Sequence, residues 1–124
     1  MKAPQDHFPY PRDPRSQPLD PGLPDGGYVY VRDATGVIRC LPDGPHLHPM
    51  VLGGGASALY VGDLTLRGAK VFDVTNLSGT FQFDDEAGLR DVAIQIRRQG
   101  LALELGAVRF FPPDGSSPVI LRPA

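Results

Sequence analysis

"DDEAGLRDVAIQIRRQG", from Asp84 to Gly100, is the stretch on which the fold turns. Leu89, Val92, Ala93 and Ile96 fall at i, i+3, i+4 and i+7, so a helical backbone gathers them into one apolar stripe. Arg90, Asp91, Gln95, Arg97 and Arg98 fall largely elsewhere. Asp84 or Asp85 can accept the open N–H groups of the first turn, where acidic charge also suits the helix dipole. Arg97 and Arg98 occupy the last turn, and Gly100 offers a left-handed stop. Gly88 inside the first turns costs up to about 1 kcal/mol relative to alanine. Burial of the stripe outweighs that cost.

Upstream, "VTNLSGTFQFDD" (Val74 to Asp85) links an apolar run to the helix start. Phe81 and Phe83 alternate around Gln82, which predicts both rings in the core and the amide outside. "YVYVRD" (Tyr28 to Asp33) and "VIRCL" (Val37 to Leu41) read as a hairpin joined at "ATG". "ALYVGDLTL" and "KVFDVT" read as two more strands joined at "RGA", where Gly68 supplies the positive φ of a short turn. "LALEL" follows the helix, and "AVRFF" and "PVIL" flank a "PPDGSS" turn. The predicted class is α+β: a mostly antiparallel sheet of about six short strands, one covering helix, and a Pro-rich N-terminal arm.

That arm is the segment 1–25, and a single α+β domain is expected over 26–124. Seven of the 14 prolines fall within the first 24 residues. Each removes a donor and biases its predecessor away from helix, so an extended segment is predicted. His7, Phe8 and Tyr10 are its candidate binding residues, for another protein or a second copy of the chain.

The 124 residues suit one domain, and 41% hydrophobic content suffices for a core. Twelve basic against 14 acidic residues leave a formal charge of -2, which gives no electrostatic footprint for nucleic acid. No run approaches the roughly 18 apolar residues of a membrane span. "MKAPQDHFPYPRDPRS" lacks the apolar region of a secretory signal, so the expected location is cytoplasmic, with signal-less export as the alternative. Cys40 is the only cysteine, which leaves no thiolate pair for zinc and reads as a small buried hydrophobe. No cofactor and no metal is expected.

Among chemistry-bearing residues, His46 and His48 stand two apart in the Pro-bracketed loop "GPHLHP", so an extended backbone points both imidazoles the same way. Asp63 and Ser78 are the carboxylate and hydroxyl that complete a candidate catalytic set. "NLSG" is not the GxSxG context of a nucleophile elbow. Gly53, Gly54 and Gly55 form a glycine run with the flexibility of a ligand-binding loop, without a P-loop pattern around it.

The order "YVYVRDATGVIRC", "HLHPMVLGGG", "LYVGDLTLRGAKVFDVTN", "SGTFQF" and "GLRDVAIQIRRQG" resembles a module shared by plant IQ-motif calmodulin-binding proteins and C-terminal domains of bacterial polymorphic toxins. The resemblance covers roughly Tyr28 to Arg109. It departs at polar positions: a His-Ser-Ser step is replaced by "LHPM", leaving His48 as the nearest match, and a His-Tyr after Ser-Gly is replaced by Thr80 and Phe81. The IQ motif is absent, so calmodulin binding does not carry over. Two functions are therefore expected. The first is a non-catalytic protein-interaction module of a bacterial conflict or secretion system. The second is a small toxin-like enzyme acting on a nucleotide cofactor or a protein side chain through the His46/His48 loop.

Overall fold

In the computed structural model, which describes residues 2, 11–42, 48–53, 56–78 and 83–121, the alternating segments pair into one eight-stranded sheet. In chain order the elements are β1 (Gln17–Pro18), β2 (Gly26–Arg32), β3 (Ile38–Pro42), α1 (Pro49–Leu52) and β4 (Tyr60–Arg67). They continue with β5 (Lys70–Thr75), α2 (Glu86–Arg98), β6 (Ala102–Leu103), β7 (Val108–Phe110) and β8 (Val119–Ile120). Across the sheet the order is β1-β3-β2-β4-β5-β7-β8, with β6 also beside β5. Neighbours are antiparallel except β6 and β7, which run parallel to β5. Parallel strands need a long crossover, and α2 lies within it.

Two expectations change. The sheet has more strands than the expected six or so, and the proline-rich segment contributes one of them. In β1, Gln17 pairs with Cys40 and Pro18 with Arg39. Proline is tolerated there because an edge strand leaves one set of backbone donors outside the ladder. Leu19 follows at 1% exposure, its N–H donating to Ile38 O at 2.9 Å. Gln99 Nε2 donates to Leu19 O at 2.7 Å, so this segment is stitched to the end of α2. His7, Phe8 and Tyr10 lie outside the described residues.

α2 follows its sequence pattern closely. Leu89, Val92, Ala93 and Ile96 are its buried residues. Each of the three larger ones contributes about 1.5–3 kcal/mol by leaving water. Asp85 is the N-cap, its carboxylate accepting from Gly88 N at 2.8 Å. Gly100 closes the helix at φ 92°, its N–H bonded to Arg97 O. The stripe joins one core with Tyr60, Leu64, Val71, Val74 and Val108. Phe83 is buried, its ring centroid 4.9 Å from that of Tyr60. Phe81 lies outside the described residues. The short turn between β4 and β5 takes positive φ at both Gly68 and Ala69. Cys40 is 1% exposed, and burial pushes its thiol up to about 12, so it packs as a hydrophobe.

Gly88 has a reason that propensity does not reveal. A Cβ there would fall 2.5 Å from Tyr60 Cε1 and 2.6 Å from Asp85 Oδ2. Tyr60 is fully buried and donates its hydroxyl to Asp85 O at 2.9 Å, so the ring has nowhere to go. Gly88→Ala is therefore expected to destabilise by about 2 kcal/mol through overpacking, although helix propensity alone favours it by about 1 kcal/mol. The midpoint of urea unfolding reads the sign directly.

Candidate functional site

Three of the sequence candidates meet. His48 lies one residue before α1 and is 8% exposed. Its Nδ1 is 3.1 Å from Ser78 Oγ, three residues beyond the end of β5. Its Nε2 is 2.8 Å from Gly62 O and 3.2 Å from Asp63 Oδ1, both on β4. A carbonyl oxygen can only accept, so Nε2 carries the proton and donates to Gly62. In the neutral imidazole Nδ1 is then the acceptor, and the Ser78 hydroxyl donates to it. Asp63 is the lesser partner of Nε2, since its contact is longer and its side chain is 43% exposed.

The scaffold explains why these three converge. Gly62 and Asp63 sit on β4, and Ser78 leaves the end of β5, the strand paired with it. Thr75 Oγ1 accepts from Leu77 N at 3.2 Å and, more weakly, from Asp63 N at 3.4 Å. One hydroxyl thereby ties the chain that carries Ser78 to the strand that carries Asp63. His48 is held from the other side. Its carbonyl accepts from Val51 N, and Ser16 Oγ donates to Val51 O at 2.6 Å. Gly53 then packs on the N-terminal segment, where a Cβ would come within 2.7 Å of Arg12 Cα. Its φ of 75° brings the chain into that approach. His46, Gly54 and Gly55 lie outside the described residues.

Beside Ser78 lies a cavity of about 180 Å³, open to solvent. Among the described residues, Leu77, Phe83, Phe111, Pro112 and Pro113 form its apolar walls, and Ser78, Asn76 and Asp84 are its polar lining. Asn76 frames it. Its Nδ2 donates to Phe83 O at 2.9 Å and Phe111 O at 3.0 Å, while its Oδ1 accepts from Phe111 N at 2.7 Å. Both amide hydrogens are thus engaged in holding two wall segments, and Asn76 is not a donor for a bound oxyanion. The Arg109 guanidinium stacks 5.3 Å from the Phe111 ring centre. It is fixed there by a two-pronged pair with Asp73, at 2.6 and 2.7 Å. That hydrogen-bonded carboxylate also raises the pKa of Arg109.

The cavity is what sequence reading missed. Asn76 and Phe111 lie 35 residues apart, and no local pattern announces their pairing. The one available signal is the "FFPP" run, two rings and two rigid residues before a turn. Among the described residues, no group of three His, Cys, Asp or Glu is placed to hold a metal ion. Nor is any helix among them long and apolar enough to cross a membrane. Comparison with protein-family models, curated proteins and solved structures finds no match for this chain.

Proposed function

We propose that this chain is a small acyl-transfer enzyme in which Ser78 is the nucleophile and His48 its base. The 3.1 Å contact between Ser78 Oγ and Nδ1 of His48 carries the reading. A histidine that merely pinned its loop to β4 would need only its Nε2 bond. Here the second nitrogen faces a hydroxyl on the lip of a cavity. Gly62 O and Asp63 accept from Nε2–H and so orient the ring with Nδ1 toward Ser78.

The chemistry follows from that arrangement. Ser78 Oγ attacks the carbonyl carbon of an ester-like acyl donor, and His48 Nδ1 takes the hydroxyl proton. The carbonyl–oxygen bond to the leaving group breaks, and Nδ1 returns the proton to the departing alkoxide. Water then attacks the Ser78 ester with the same nitrogen as base, releasing the acid and restoring the hydroxyl. This route uses His48, Ser78 and Asp63 of the candidate catalytic set but replaces the expected toxin-like reaction at the His46/His48 loop with acyl transfer. Its acceptor or donor can be a protein side chain.

A second reading, the protein-interaction module, is supported by the outer sheet edge. Val119 and Ile120 of β8 are 43% and 60% exposed there, and a partner strand or a second copy would cover them. One experiment separates the two. The folded protein is treated with a fluorophosphonate that esterifies activated serines, and the modified peptide is identified by mass spectrometry. The enzymatic reading expects labelling at Ser78, abolished in Ser78→Ala and strongly slowed in His48→Ala. Wild-type protein that stays folded, unlabelled and inert toward 4-nitrophenyl esters would leave the interaction module standing alone.

A further inference from the structure

We infer that the cavity beside Ser78 seats the acyl group of the donor, and that it selects neutral apolar acyl groups of about four to six carbons or a single aromatic ring. The inference rests on the acyl-transfer reading for its chemistry, and on the cavity itself for its selectivity. Leu77, Phe83, Phe111, Pro112 and Pro113 offer the guest carbon surface. Asn76, 7% exposed, has both amide hydrogens engaged by wall carbonyls and so has none left for a polar acyl chain, and the Asp84 carboxylate in the same lining disfavours an anionic one. The walls are braced rather than loose. Phe83 is backed by Tyr60 at 4.9 Å, and Phe111 by the Arg109 guanidinium at 5.3 Å.

Size sets the limit. A cavity of about 150 Å³ lined by aliphatic and aromatic side chains admits benzene, and this one measures about 180 Å³. A phenyl ring or a short branched or linear chain therefore fits, and a long fatty chain runs into solvent. Each methylene fully buried is worth about fourfold in affinity. Because the cavity is open, two- to fourfold per methylene is expected.

The test varies only the acyl part of 4-nitrophenyl esters. From acetate to butyrate, kcat/KM should rise about four- to sixteenfold. It should level off by hexanoate, fall by decanoate, and stay high for benzoate. Phe111→Ala keeps the backbone bonds to Asn76 and removes one wall, so the optimum should move to longer chains. Leu77→Trp, at an exposed position, should narrow the cavity and erase the advantage of hexanoate over acetate. A second arm needs no catalysis. Hexanamide and benzamide, but not acetamide, should shift the NMR resonances of Leu77, Phe83 and Phe111 in Ser78→Ala. Hexanamide binding without ester hydrolysis by wild type supports the acyl seat while removing the nucleophile reading. Hydrolysis with equal rates across the series, and no amide-induced shifts, overturns the seat and leaves Ser78 in its role.

Discussion

Gly62→Ala is expected to cost about 4 kcal/mol or more, enough to leave much of the chain unfolded at 25 °C. Gly62 lies on β4 opposite Tyr30 of β2. The Tyr30 side chain crosses over it to donate its hydroxyl to Thr75 O at 2.6 Å. A Cβ at position 62 would land on the Thr75 carbonyl, 2.6 Å from its carbon and 2.9 Å from Tyr30 Cε2. Neither neighbour can yield. Tyr30 is fully buried, which also raises its hydroxyl pKa well above the ordinary range, and Thr75 is backbone at the end of a paired strand. The nearest obstacle is a main-chain oxygen, so trimming the ring brings no relief. Gly62→Ala combined with Tyr30→Leu should be no more stable than Gly62→Ala alone. Tyr30→Phe, which loses only one buried hydrogen bond, should cost about 1–2 kcal/mol. Urea unfolding followed by circular dichroism measures all three. A Gly62→Ala protein within 1 kcal/mol of wild type would mean that β4 and Thr75 do not approach as described.

The same glycine shows how far the sequence could be read. "YVGD" announces a strand and hides the reason for its glycine, because the atoms that exclude a Cβ come from residues 13 positions later and 32 positions earlier. The helix was legible, since its period is local: the four stripe residues expected buried are the four buried on α2. The β2–β3 and β4–β5 hairpins were legible for the same reason. β1 was not, because two residues carry no period and proline argues against strand wherever it is not on an edge. α1 is a single turn that begins at the last proline of "GPHLHP", and four residues are too few to show a helical period. In the site, Ser78 and Asp63 flank one hairpin, so their nearness follows once β4 and β5 pair. The placement of His48 depends on Ser16 and Val51, contacts spanning 35 residues that no spacing predicts.

His48→Gln is the variant that separates catalysis from scaffolding. Truncation to alanine removes both at once. It leaves a void beside α1 and removes the Nε2 bond to Gly62 O, together expected to cost about 2–3 kcal/mol. Under the proposed acyl transfer it also removes the base, with an expected fall of about 10²–10⁴-fold in ester hydrolysis. Low activity in that variant is therefore open to the objection that the fold was damaged. Glutamine answers it, because its amide N–H can still donate to Gly62 O while no nitrogen accepts the Ser78 proton. His48→Gln should recover at least half of the stability lost in His48→Ala and none of the rate. Ser78→Ala should lose the rate with a stability change under about 1 kcal/mol, since Ser78 is only partly buried. If His48→Gln hydrolyses 4-nitrophenyl butyrate as fast as wild type, the imidazole serves as a clasp between α1 and β4, and Ser78 is not activated by it.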